Sequence, residues 1–380
     1  MSLLGNIIRI PGLVDMHVHF REPGFAYKET ILTGSRAAAR SGYSDVFTMP
    51  NVQPAPDSLD HLCAQTALIA RDSLIGVHPY ASITLGQKGE GELVHIEELS
   101  PYVPGFSDDG RGIQDEGLMR AAMERIAAVG SMIVEHCEVN SLLRGGYIHD
   151  GAYARRHGHR GICSESEWRE IERNIRLSAE TGCRLHVCHI STKESVELIR
   201  DAKASGVPVT TETAPHYLLL NDRMLEEDGC WKMNPPIRSV SDQMALLGGI
   251  SDGTIDVIAT DHAPHSEKEK SRGLSGSAFG IVGIETAFPL MYTYLVKSGL
   301  LTMDRLVALM STRAREITGL PMDESWATFD LDARYTIDPA QFVSKGHSTP
   351  FAGWEVYGKC IKNERQGKTV FDNSQFTIHN

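Results

Sequence analysis

The sequence predicts an α/β protein, a (β/α)8 TIM-like barrel with a small β appendage contributed by the chain ends. Three observations lead there. Eight short apolar segments alternate with helix-like stretches over the first two thirds of the chain. Nearly every one of those segments ends in a polar or ionisable residue, as strands do where they open onto the loop face of such a barrel. Beyond residue 318 the pattern changes to short β-like runs punctuated by Gly and Pro, with little helical period.

The expected strands are LVDMHVH (13–19), DVFTMP (45–50), HPYASIT (78–84), VPGFSDD (103–109), MIVEHC (132–137), RLHVCHI (184–190), VPVTTETAP (207–215) and DVIATDH (256–262). Between them, stretches such as ETILTGSRAAARSG, EGLMRAAMERIAAVG, SEWREIERNIRLSAETG and STKESVELIRDAKASG space their apolar residues by three to four and stop at glycine, as amphipathic helices do. The expected division is a barrel over 11–318, with 1–10 and 319–380 forming the appendage.

The 380 residues are 41% hydrophobic and 23% charged, enough for a large core. A net charge of -12 argues against nucleic-acid or anionic-membrane partners, which favour basic surfaces. Seven cysteines, an odd number with no CxxC pair, fit a reducing cytoplasm better than a disulfide frame. The opening MSLLGNIIRI lacks the basic start and apolar core of a secretion signal, and no apolar run reaches the roughly 18 residues of a membrane span.

The strand ends carry the chemistry. His17 and His19 stand at i and i+2, which on a strand aims both imidazoles the same way. Asp109, His136, His189 and Asp261 close four other expected strands, so the six residues would ring one mouth. Neutral imidazole and carboxylate suit zinc or a similar divalent ion. A lone histidine is usually a surface or hydrogen-bonded core residue; six ligand-type side chains at one end of successive strands are a different matter. Asp108, on the opposite strand face, ranks second to Asp109. Strand parity puts Cys137, Cys188 and His186 outward if His136 and His189 point in, and gives Asp15 the inward parity of His17.

Several motifs carry a resemblance. "PGLVDMHVHFREPG", "MPNVQPAPDS", "GFSDDG", "HVCHIST", "ETAPHYL", "KMNPPIRS", "ATDHAPHSEKEK" and "FGIVGIETAFP" resemble the dihydroorotase family of the amidohydrolase superfamily, in its long-chain bacterial and archaeal form. The match runs in order from about Pro11 to Val370. It implies a barrel of the metal-dependent hydrolase type. The implied reaction is the reversible, zinc-dependent cyclisation of N-carbamoyl-L-aspartate to L-dihydroorotate plus water, in pyrimidine biosynthesis.

By the same resemblance, His17 and His19 bind a first metal and His136 and His189 a second. Asp261 ligates the first metal and shuttles the proton. Asp109 takes the bridging position that a carboxylated lysine holds elsewhere in the superfamily. One or two zinc ions per chain are implied, two being favoured.

Arg21, on the parity of His19 if the strand continues that far, can clamp a carboxylate through two parallel hydrogen bonds. Dihydroorotate has that carboxylate; simple hydantoins and allantoin lack it. The resemblance adds Asn51, Asn234 and His265 as substrate contacts. The residues alone also permit a turn at Asn51, an Asn-Pro turn start at Asn234 and a loop cap at His265. The segment SRGLSGSAFG (271–280) reads as a mobile substrate cover or a solvated connector. His216 matches a family motif without an assignable chemical role.

Two other readings stand beside this one: another cyclic amidase (hydantoinase, dihydropyrimidinase or allantoinase), and an inactive homologue acting as a scaffold. Arg21 and Asp109 speak against the first, and retention of all six ligand-type residues against the second. Family analogy suggests a homodimer and an association with aspartate transcarbamoylase. With only 10 residues before Pro11, the β-sandwich of related proteins is expected to shrink to a small β layer.

Overall fold

A computed structural model describes residues 6–373. Its strands, in chain order, are β1 (Ile7–Pro11), β2 (Leu13–Val18), β3 (Tyr43–Thr48), β4 (Gly76–Pro79), β5 (Met132–Glu135), β6 (Ile148–His149), β7 (Gly161–Ile162), β8 (Arg184–Val187), β9 (Val209–Thr213), β10 (Val257–Ile258), β11 (Trp326–Thr336), β12 (Glu355–Arg365) and β13 (Lys368–Asp372). Two parallel sheets, β2-β3-β4 and β10-β9-β8-β5, form the centre. Val14, Met16, Phe47, Met49, Tyr80, Met132, Val134, Cys188, Val257 and Ala259 make one buried apolar cluster drawn from both. The sheet edges meet at single-residue bridges: Val18 with His262 on one side, and Ala81 with Phe106 and Phe106 with Ile133 on the other.

The expected eight-strand pattern is therefore met in part. The segment 103–109 supplies only Phe106 as a bridging residue. Pro104 removes an N–H donor, and the Asp108 carboxylate turns into the loop that follows β4. The third strand begins earlier than expected, at Gly76, and the eighth is cut to Val257–Ile258.

The predicted helices are present as Ile31–Arg40, Glu116–Ala128, Glu165–Thr181 and Lys193–Ala204. Their starts are explained locally. Thr30 and Thr33 form a reciprocal cap, and the Asp115 and Thr192 side chains accept from backbone N–H groups of the first turn. Glu165–Thr181 ends on Gly182 at φ 72°, a left-handed stop that costs glycine little.

Toward the two ends of the described residues an antiparallel sheet forms in the order β1-β11-β12-β13, while 1–5 and 374–380 of the expected appendage lie outside the described residues. β11 alternates buried and half-exposed residues over its first half, so that Ala327, Phe329 and Leu331 face inward. Phe329 stacks on Phe288 with 3.8 Å between ring centres, within the same core as the flanking helices. At the end remote from the site, Asp45 ties the layers together: His78 Nε2 lies 3.0 Å from its Oδ1, Arg365 Nη2 3.3 Å from the same oxygen, and Arg315 Nη2 3.4 Å from Oδ2. No helix of the described residues is long and apolar enough to cross a membrane.

Candidate active site

The six residues expected to ligate metal converge, all buried. Asp109 lies at the centre. Its Oδ1 is 3.5 Å from His17 Nε2, 3.8 Å from His136 Nδ1 and 4.0 Å from His189 Nε2, and its Oδ2 is 3.7 Å from His19 Nε2. Asp261 keeps to one side, its Oδ1 3.3 Å from His19 Nε2 and 3.6 Å from His17 Nε2. His136 Nδ1 and His189 Nε2 face each other at 3.0 Å.

How the chain delivers these groups departs from simple strand parity. A register shift between Asp15 and Val18 inserts a bulge, so that Met16 joins the central apolar cluster while His17 also turns to the site. Asp15 serves the scaffold. Its carboxylate accepts from Thr260 N at 3.1 Å and from Thr260 Oγ1, joining β2 to the segment that carries Asp261. His189 and Asp261 follow the ends of their strands at φ 30° and 46°, left-handed conformations that re-aim the side chain.

Strand parity accordingly fails at β8. Cys188 lies within the central cluster and His186 bonds Glu212, so neither points outward. Cys137 does, where it accepts from Asn174 Nδ2 on a flanking helix. Asp108 is excluded as the central carboxylate because it is spent on Ile83 N, Thr84 and Gly89 N.

The donor set suits a cation. His17 Nε2, His19 Nδ1, His189 Nδ1 and Asp109 Oδ1 are buried without hydrogen-bond partners, a costly state unless something bonds them. Two groups, His17/His19/Asp261 and His17/Asp109/His189, each bring three ligand atoms within 4.8 Å of one another. The electrostatics divide the ring. Burial opposes charge on His17, but the Glu212 hydrogen bond and the Asp109 and Asp261 carboxylates raise it to about 10. Burial, with His136 and His17 nearby, pushes His189 well below the usual range; burial and Arg21 do the same to His19. Burial lifts the Asp261 carboxyl.

Arg21 reaches the site by a route that strand parity does not foresee. β2 stops at Val18, and Arg21 sits in a left-handed turn at φ 54°. Its Nε donates to Pro264 O at 3.3 Å; burial lowers its pKa to about 10, and Asp261 and Asp109 are the foremost groups favouring its charge. His265 lies against it, with Nε2 donating to Phe279 O at 2.7 Å and Nδ1 3.2 Å from Lys28 Nζ. Both nitrogens of His265 are thus engaged with the protein.

Asn51 Nδ2 donates to Asp109 O at 2.7 Å and Asn234 Nδ2 to Glu138 Oε1 at 2.9 Å, while each Oδ1 is buried without a partner. His216 is buried with Nε2 unpartnered; burial lowers it to about 4 against the pull of Asp261. The 271–280 segment is tethered rather than loose: Lys232 Nζ donates to Ser275 O, Lys270 Nζ to Ala278 O, and Gly280 N to Lys232 O.

Sequence reasoning missed Gln87, which holds Asp109 O at 2.7 Å, and Glu138 beside His136. It also missed Glu212, whose oxygens meet His17 and His186; burial opposes its charge, but those two imidazoles hold it down to about 2. Glu212 lies within the ETAPHYL motif, the one signal that pointed to it.

The fold is shared with cyclic-amide hydrolases. The chain superposes on L-hydantoinase (dihydropyrimidinase) from Arthrobacter aurescens with a TM-score of 0.86 and 26% identity, covering 96% of this chain and 86% of that one. With dihydropyrimidinase from Brevibacillus agri NCHU1002 the TM-score is 0.83 at 21% identity, over 97% and 85% of the two chains, a likeness of fold. These neighbours, with the gathered histidines and aspartates, define an enzyme of the amidohydrolase class. Sequence narrows the class. A family model described as dihydro-orotase-like matches residues 5–195. Dihydroorotase from Bacillus caldolyticus is 47% identical over 98% of this chain and 89% of its own length. Dihydroorotase from Listeria innocua serovar 6a is 46% identical over 96% and 88%. The chain belongs to the dihydroorotase family.

Proposed function

We propose that this chain catalyses the reversible cyclisation of N-carbamoyl-L-aspartate to L-dihydroorotate and water, the step of pyrimidine biosynthesis that its family's name denotes. The observation that carries the reading is the position of Arg21, a half-buried guanidinium that donates to Pro264 O and whose charge the two carboxylates of the histidine cluster favour. A carboxylate on the substrate ring is what such a group would hold.

In this reading His17, His19 and Asp261 would hold one divalent ion and His136 and His189 a second, with Asp109 as the carboxylate they would share; zinc suits the donors, with two ions per chain favoured. A bound divalent ion supplies Lewis acidity and lowers the pKa of a coordinated water. The protein's part is to place the groups that move protons and orient the ring. In ring opening, Asp261 takes the proton from the attacking water and returns it to the departing ring nitrogen. In ring closure the same carboxylate removes the proton from the carbamoyl nitrogen as that nitrogen attacks the side-chain carboxyl carbon, and the displaced oxygen leaves as water with that proton and a second one taken up from solvent by the side-chain carboxylate. Arg21 clamps the remaining carboxylate. The unpartnered Oδ1 atoms of Asn51 and Asn234 are acceptors for the ring N–H groups. His265 acts by shaping the pocket behind Arg21, since both of its nitrogens are already bonded.

The proposal includes the architecture. Residues 11–318 form the catalytic (β/α)8 unit, closed through the edge bridges, and the described parts of the two ends, 6–10 and 319–373, form the β layer beside it. Seven free cysteines support a cytoplasmic setting. The test is an assay of the purified, zinc-reconstituted chain with dihydroorotate, dihydrouracil and allantoin. Turnover of dihydroorotate above the other two is expected; turnover of dihydrouracil without dihydroorotate defeats the reading in favour of a dihydropyrimidinase.

A further inference from the structure

Glu212, on β9 and fully buried, has no part in the roles proposed above. Its Oε1 lies 2.9 Å from His17 Nδ1 and its Oε2 3.3 Å from His186 Nε2, while His186 Nδ1 lies 2.8 Å from Thr210 Oγ1. An ionised carboxylate can only accept, so both imidazole nitrogens that face it carry protons. His186 Nδ1 then accepts from the Thr210 hydroxyl. The consequence for His17 follows once its ring is neutral, as a metal ligand's must be: the proton kept on Nδ1 by Glu212 leaves the lone pair on Nε2. That is the atom aimed into the cluster, 3.5 Å from Asp109 Oδ1 and 3.6 Å from Asp261 Oδ1, and without a hydrogen-bond partner.

Glu167 offers a contrast. It is equally buried, but it accepts from the backbone amides of Ser191 and Thr192 and from nearby hydroxyls, the pattern of a carboxylate that braces a turn. Each oxygen of Glu212 meets an imidazole instead, one belonging to the cluster and one to a residue below it.

We propose that Glu212 is a positioning residue that holds His17 in the Nδ1–H tautomer for metal binding, and that His186, anchored by Thr210, holds Glu212 in place. The inference rests on the ligand role proposed above for His17. A carboxylate behind a ligating histidine orients the ring and strengthens it as a donor, and losing such a partner costs about 10- to 100-fold in metal affinity.

The experiment is E212Q in the full chain. Glutamine keeps the shape but can present either its oxygen or its NH2 to His17 Nδ1, so the tautomer is no longer imposed. Chelator competition should show zinc bound about 10- to 100-fold more weakly. Nitrogen-15 NMR of the zinc-loaded, histidine-labelled protein should show the His17 Nδ1–H signal diminished or split. Wild-type zinc affinity in folded E212Q, or an unchanged Nδ1–H signal, overturns the proposal. If E212Q does not fold, H186Q decides by the same titration: zinc weakened by about tenfold or more supports the proposal, and wild-type affinity overturns it. H17A separates the two readings. Undiminished zinc binding in H17A defeats the ligand role itself, whereas loss of zinc in H17A with wild-type binding in E212Q defeats only the role of Glu212.

Discussion

Arg21→Met tests the substrate assignment most directly, because it removes the fork that should recognise a carboxylate and leaves an apolar stem of similar reach. Arg21 Nε is committed to Pro264 O at 3.3 Å. Nη2 lies 3.4 Å from His265 Nε2, but that nitrogen already donates to Phe279 O and offers no acceptor. Two Nη groups are therefore left for the substrate. Each hydrogen bond to a charged group contributes about 1.5–3 kcal/mol, so losing two removes about 3–6 kcal/mol. That corresponds to a fall in kcat/KM for dihydroorotate of about 10²- to 10⁴-fold. Dihydrouracil, the same ring without the carboxylate, is the internal control, and its much lower kcat/KM should change little. Arg21→Lys, which keeps the charge but loses the fork, should fall between wild type and Arg21→Met. Equal losses on both substrates would show that Arg21 supports the cluster rather than reading the carboxylate, and would refute the reasoning.

Other expectations follow from the same geometry. Asp109→Ala should lower the number of zinc ions held per chain and reduce kcat by more than the roughly 10- to 100-fold that an outer-layer partner costs; two ions and full activity in this variant would sink the bridging role. Asp108→Ala should keep its metal but melt earlier, since it loses the contacts to Ile83, Thr84 and Gly89. For Asp45, burial opposes the charge, but the His78 hydrogen bond and Arg365 hold the carboxyl down to about 2 from 3.8. A depressed carboxyl stabilises the fold above its unfolded pKa and loses that contribution as pH falls through the folded one. About 2 kcal/mol of the stability gap between wild type and Asp45→Asn should therefore disappear between roughly pH 4 and 2, as followed by denaturant titration; a gap unchanged by acid would contradict this. Gly76→Ala would place a Cβ 1.9 Å from Asp45 Oδ1 and 2.7 Å from Arg365 Nη2, forcing that junction apart. A loss of about 1–3 kcal/mol in unfolding free energy is expected, and wild-type stability would show that the junction yields freely.

The ring of His17, His19, Asp109, His136, His189 and Asp261 was legible because each residue ends an apolar segment, and strand ends on one face are where a parallel α/β sheet gathers side chains. The helices were legible from their period and their caps. Parity and resemblance favour Asp109 over Asp108, and the structure gives that preference a cause in the hydrogen bonds that occupy Asp108. The fourth expected strand falls short because Pro104 and the Asp108 turn leave Phe106 alone in the ladder.

The sequence by itself determined the α/β class and named the ligand-type residues and the arginine that the fold gathers, since all of these lie in local pattern and side-chain chemistry. The tertiary structure alone decided how they are aimed. Parity holds only along regular strand, and here a bulge before Val18 and left-handed residues at Arg21, His189 and Asp261 break it at the points that matter. It also decided the partners behind the cluster, because Glu212 meets His17 across 195 residues of chain, a separation over which no sequence period carries information.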